Sequence, residues 1–150
     1  MTALRRTLTV AALGATLALS SCQRSSLQVT TIQMNDVAVA VEIADSVESR
    51  ARGLMYRDKV KPGTGMLFIY PEDAPRSFWM KDTRVPLSIA FINRSGKILR
   101  IRDMTPLSKK PVKSLYPVPY AVEVGKGWFA EVGIKEGDVV TGLPLPSTAN

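Results

Sequence analysis

Histidine is absent from this 150-residue chain, and cysteine occurs once. Without an imidazole there is no Ser-His-Asp or Cys-His catalysis and no histidine ligand for a metal. A lone cysteine excludes an intrachain disulfide, a thiolate zinc cluster and a CxxC redox pair. No nucleophile elbow and no SxxK motif is present either. What remains is 45% hydrophobic and 22% charged residues, the balance of a globular protein and not of a disordered one. The length suits one domain that can bury a core without staples.

The first 22 residues, MTALRRTLTVAALGATLALSSC, have the layout of an export signal. Arg5 and Arg6 form a positive start, and Leu8 to Leu19 an uncharged, mostly small and apolar run, shorter than the ~20 residues of a spanning helix. Leu19-Ser20-Ser21-Cys22 resembles the lipobox of bacterial lipoproteins. That resemblance implies cleavage before Cys22, a diacylglycerol on its thiol and usually an acyl chain on the new amino group, hence stable anchoring. It places the protein in the cell envelope. In a host with two membranes, Gln23 after the cysteine implies the outer membrane, facing the periplasm. The mature chain then has no free thiol, as suits an oxidising compartment, and carries 18 basic and 13 acidic side chains.

The expected organisation is a signal at residues 1–21, a lipidated N-terminus and tether at 22–35, one domain at 36–142, and a frayed tail at 143–150. Val37, Val39, Val41 and Ile43 alternate with Ala38, Ala40 and Glu42, which predicts a half-buried strand. Asp45-Ser46-Val47-Glu48 predicts a helix start with an acidic cap, and the helix is expected over about 46–55. Further strands are expected at 66–70, 77–81, 87–93, 98–101, 121–124 and 139–142. PEDAPR (71–76), GKGW and KEGD read as turns. Asn93-Arg94-Ser95-Gly96-Lys97 marks the clearest hairpin. Four prolines between 105 and 119 predict a long irregular connection. Short strands, Gly/Pro turns and one short helix make the fold class mainly β: a single compact β-sandwich or a small open barrel.

RARGLMYR (50–57), GTGMLFIYP (63–71), FWMKDTRVPLSIAFINRSGKI (78–98), YAVEVGKGW (120–128) and GIKEGDVV (133–140) together resemble the bacterial and archaeal family called domain of unknown function 192. The similarity covers nearly all of 36–142 and implies a mainly-β domain without an established reaction. Ser88 stands where that family usually carries an aspartate.

Phe78-Trp79-Met80-Lys81-Asp82-Thr83 is the most suggestive segment. Alternation puts Phe78 and Met80 on one side and Trp79 beside Lys81 on the other. This predicts either two filled faces of a sheet or a binding groove. In the groove Trp79 would be a stacking surface, Lys81 a charge, and Asp82 and Thr83 hydrogen-bonding groups. Arg50, Arg52 and Arg57 flank the helix and either stay solvated or project into the same groove, Arg52 being the one assigned to the site. A second candidate is a basic stripe for anionic lipid or polymer, made of Arg94, Lys97, Arg100, Arg102, Lys109, Lys110 and Lys113. Nucleic acid is not an expected partner of an exported protein. The enzyme alternative is a carboxylate site joining Asp82 to Glu123 or Asp103. Thioethers of Met55, Met66, Met80 and Met104 are a minor candidate for Cu(I), the ordinary reading of such residues being core packing. Non-catalytic binding, with no cofactor, is the expectation.

Overall fold

The computed structural model describes residues 26–146. The expected signal, Cys22 and the last four residues of the tail lie outside them. Among the described residues no helix is long and apolar enough to cross a membrane.

Alternating strands build one sheet. β1 (Val29–Met34) and β2 (Val37–Ala44) pair antiparallel across a tight turn in which Asn35 adopts φ 52°. The chain then crosses through α1 (Val47–Arg52) and returns as β3 (Thr64–Phe78), parallel to β2. β4 (Leu87–Ile92) and β5 (Ile98–Met104) form the expected hairpin, in which the Asn93 side chain accepts from Lys97 N at 2.9 Å. β6 (Val112–Gly125) enters between β3 and β4, antiparallel to both. A short α2 (Trp128–Glu131) follows, and β7 (Val140–Thr141) closes on β1.

The strand order is β5-β4-β6-β3-β2-β1-β7, a curled half-barrel. No second sheet packs on this one among the described residues, so the open barrel is the arm of the expectation that forms, and the sandwich is not. The two edges nearly meet. Val140 N donates to Gly96 O and Ile98 N to Asp138 O, both at 2.8 Å. At Gly96, φ is 85°, and a Cβ would collide with the Val140 carbonyl oxygen. Glycine is needed there to let the edges approach.

Two apolar clusters lie on opposite faces, as strand alternation requires. The first holds Val39, Val41, Leu67, Ile69, Val122 and Val124 and is covered by Trp128 and Phe129 of α2. The second holds Met66, Phe68, Ile89, Phe91 and Ala121, with Phe78 at the end of β3 and Met80 just beyond it. Phe68, Phe78 and Phe91 form an edge-to-face ladder, with successive centroids 4.9 and 5.8 Å apart. Such pairs add ~0.5–1.5 kcal/mol to simple burial.

Several local expectations need correction. The domain begins before the expected residue 36, because β1 occupies 29–34; only Ile32 and Met34 of that strand point inward. The helix begins one residue later than the acidic cap implied. Ser46 is the N-cap, and Ser46 and Ser49 exchange side-chain-to-backbone bonds at 3.0 Å. It ends at Arg52, with Gly53 at φ 49°. GKGW leads into α2 instead of being only a turn. PEDAPR is not a turn between strands but an interruption within β3, where the register to β6 slips between Ile69 and Ala74. The expected irregular connection is largely β6. Its Pro117 lies where β6 has β3 on one side and no strand on the other, an edge that tolerates a missing N–H.

Candidate functional site

A cleft of about 270 Å³ opens on the second face, between α1 with its following turn and the strands β3 and β6. Phe68 and Tyr70 of β3, with Phe78 and Trp79 after them, supply aromatic walls; Arg50 and Arg52 of α1 supply the cations. Glu123 of β6 lies in it as well.

Each of these positions has a local cause. Glu123 lies opposite Met66 on one side and Ile89 on the other, so its side chain shares their face. Gly53 stops α1 and carries the chain over this face; a Cβ there would touch Phe68 at 3.3 Å and approach Glu123 Oε2 at 4.0 Å. The bare backbone of Gly53 therefore leaves the cleft open. Arg50 is fixed by donating to the Ile69 carbonyl at 3.0 Å and to the Asp45 carbonyl, and its guanidinium lies 4.9 Å from the Tyr70 ring centroid. Arg76 covers the same ring at 3.9 Å. Burial raises the Tyr70 phenol above its usual range, offset in part by Arg76 and Arg50. Arg52 is exposed and makes no ion pair among the described residues.

Glu123 is the unusual group. It is 4% exposed, and burial pushes its carboxyl up to about 8. Among the described residues burial alone accounts for that shift. A buried ionised carboxylate without a partner is costly, so the group holds its proton at neutral pH. Two larger depressions lie nearby: one of about 460 Å³ between β2 and the 54–61 segment, whose Glu42 is paired with Arg57 at 2.6 Å and whose Asp58 is exposed, and one of about 940 Å³ against α1, whose Glu48 is exposed. The smaller cleft is the better candidate because its acid is buried and forms no ion pair among the described residues.

Of the groove residues expected from sequence, Arg52, Trp79 and Thr83 line this cleft. Lys81 stands over Trp79, its Nζ 5.6 Å from the ring centroid, and does not line it. Asp82 turns elsewhere and accepts from Tyr56 Oη at 3.2 Å, which raises the Tyr56 pKa. The Thr83 hydroxyl donates to Lys81 O at 3.1 Å. Phe78 is buried and Trp79 half exposed, as the alternation predicted.

The expected carboxylate pairing does not assemble. Neither Asp82 nor Asp103 lines the cleft. Asp103 pairs across the ladder with Ser88, accepts from Ser88 Oγ at 2.6 Å, and follows that serine to the face opposite Glu123. Met66, Met80 and Met104 are buried in the second apolar cluster, where packing accounts for them, and Met55 lines the cleft. The basic stripe is partly consumed. Arg94 pairs with Asp73 at 2.6 Å, Arg102 with Glu136 at 2.9 Å, and Arg100 donates to Lys113 O. Lys97, Lys109, Lys110 and Lys113 remain exposed and form no ion pair among the described residues.

Sequence reasoning weighed Glu123 only as an acid partner, named Arg50 only as a flanking cation of the helix, and passed over Phe68 and Tyr70. The signal for Glu123 was there: one acid inside the otherwise apolar run Ala121-Val122-Glu123-Val124.

With the fold and cleft defined, comparison places the chain. It belongs to the DUF192 family, described as an uncharacterized ACR, whose model matches residues 29–142. No curated protein matches significantly. A solved structure of a candidate transcription regulator from Sinorhizobium meliloti 1021 is 32% identical, covers 77% of this chain and 94% of its own, and superposes with a TM-score of 0.74. A protein of unknown function from Novosphingobium aromaticivorans is 27% identical, with 87% and 93% coverage and a TM-score of 0.72. Both share the fold.

Proposed function

We propose that this protein is a lipid-anchored envelope protein whose DUF192 domain binds a small ligand, without catalysis, in the cleft over Glu123. The observation that carries the reading is a carboxyl that is 4% exposed and forms no ion pair among the described residues, placed in a cleft beside an arginine and a half-exposed tryptophan. Its oxygens are not wholly sealed off, so a ligand in the cleft could reach the carboxyl and hydrogen-bond it.

The anchor supports the same reading. Four residues separate Cys22 from Leu27, a reach of roughly 14–18 Å. Ser26 and Leu27 line a depression together with Arg52 and Tyr56, so the tether starts next to the cleft. A lipid on Cys22 would hold that cleft close to the bilayer. The exposed Lys97, Lys109, Lys110 and Lys113 would add contact with anionic envelope lipid or polymer.

Two measurements test this. Palmitate labelling of the full chain is expected for wild type and lost in Cys22→Ser. Native mass spectrometry of the chain after exposure to host envelope extract is expected to show a discrete added mass that Trp79→Ala, Arg52→Ala together diminish. A folded chain that retains nothing would overturn the ligand reading.

A further inference from the structure

The charges around the cleft say what kind of ligand it would take. The groups lining it that carry or can carry charge are Arg50 and Arg52 from α1, Tyr70 from β3 and Glu123 from β6. Across the ladders, Glu123 faces Met66 and Ile89; the end of β3 presents Phe78, and the segment after it Trp79 and Thr83. With the Tyr70 phenol neutral and Glu123 protonated, two guanidiniums are the only charges in the cleft at neutral pH.

We infer that the cleft binds a small aromatic or apolar molecule through an oxyanion, carboxylate or phosphate, held between the Arg52 guanidinium and the protonated carboxyl of Glu123 acting as an O–H donor. This rests on the cleft being a ligand site, as proposed above. A cation entering the same space would meet Arg50 and Arg52 and would have to ionise Glu123. An anion meets attraction at the rim and a donor inside. Hydrogen bonds from an acid to an anionic oxygen are short and about twice as strong as neutral ones, and a carboxyl kept neutral by an apolar site is a known means of donating to an oxyanion. The aromatic walls supply the apolar contact.

The inference fixes the direction of a pH effect. Binding needs the proton on Glu123, which the unliganded cleft loses near pH 8. Above that, affinity for an anion falls by about tenfold per pH unit, one proton being linked to each ligand bound.

Three probes with one aromatic body and different heads separate the possibilities: benzoate, benzyl alcohol and benzylamine. Each is titrated into the full chain in neutral detergent from pH 6 to 9.5, following the Gly53 amide and the Trp79 indole by NMR. Benzoate is expected to bind most tightly, to weaken above pH 8, and to lose about tenfold or more in Arg52→Ala. Glu123→Gln keeps a neutral donor, so it should retain benzoate binding near pH 7 and lose the alkaline decline. Folding of that variant is checked by the dispersion of the same spectra. Benzylamine binding tighter than benzoate, with proton release at pH 7, would overturn the oxyanion assignment and leave the ligand reading standing. No shift with any probe at millimolar concentration would also overturn it, and the envelope-extract experiment then decides whether the ligand reading falls with it.

Discussion

Two buried polar side chains, Ser88 and Glu123, occupy neighbouring strands on opposite faces of the sheet, and they are treated in opposite ways. Ser88 on β4 is 1% exposed and fully engaged: its hydroxyl donates to Asp103 Oδ1 at 2.6 Å and accepts from Gly127 N at 3.0 Å. Glu123 on β6 is 4% exposed and forms no ion pair among the described residues. The face behind Ser88 is closed by α2, and the polar group there ties β4 to the start of that helix. The face behind Glu123 is open between α1 and β3. One fold thus uses burial of a polar group once to hold itself together and once at a cost in stability. A cost of that kind is what a site kept for a ligand looks like.

The contrast is sharpest between adjacent residues. Val122 and Glu123 are neighbours on β6, yet Val122 faces the closed cluster and Glu123 the cleft. Val122→Glu moves the acid into the first cluster, where Val122 is 0% exposed and packed among apolar side chains. It is expected to cost ~4 kcal/mol or more and to leave the domain unfolded or nearly so by urea titration and circular dichroism. A Val122→Glu variant of near wild-type stability would show that the two faces do not differ as described.

Next in size is the pH dependence that Glu123 imposes. Its folded-state pKa is raised from 4.5 to about 8, so between those values the folded chain holds a proton that the unfolded chain has released. This contribution is fully present below pH 4.5, is lost as pH rises, and is gone above about 8, with a slope of at most ~1.4 kcal/mol per pH unit. Glu123→Gln removes the slope. Urea midpoints at pH 5, 7 and 9 should therefore fall for wild type relative to the variant, and equal pH profiles would refute the buried, protonated acid.

On the closed face, Ser88→Ala leaves the Gly127 N–H without its acceptor, so about 1–3 kcal/mol should be lost, with the pH profile kept as in wild type. Differential scanning calorimetry at two pH values separates this pH-independent loss from the Glu123 effect.

How much of this was legible in the sequence follows from how locally each feature is encoded. β2, β4 and the 93–97 hairpin were readable because alternation and turn chemistry are carried by neighbouring residues. β1 was missed because only Ile32 and Met34 face inward, and two inward residues make no period. β6 was missed in part because Pro117 and Pro119 argue against a strand, and only its position with a single neighbour makes Pro117 tolerable. The family resemblance was recoverable because its motifs span almost the whole domain. The cleft was half legible: Trp79, Thr83 and Arg52 were foreseen and Arg50 was named beside them, whereas Asp82 points to Tyr56 and Tyr70 went unnoticed. Which acid is buried depends on strand register between residues more than fifty positions apart. Register of that range has no local signature.

Trp79 brings the comparison to its smallest and most selective effect. It follows Phe78 directly, but it is half exposed while Phe78 joins the aromatic ladder of the second cluster. A large ring left half in water contributes little to folding, so Trp79→Ala should change stability by less than ~0.5 kcal/mol. It should also leave most of the pH profile set by Glu123 intact, because Glu123 is flanked by Met66 of β3 and Ile89 of β4 and the Trp79 ring is half in water. If the cleft exists to hold a ligand, the same variant should weaken ligand retention while the fold is unmoved. A stability loss of several kcal/mol in Trp79→Ala would instead make the ring a structural cover, and the open face would then be closed in the same sense as the one behind Ser88.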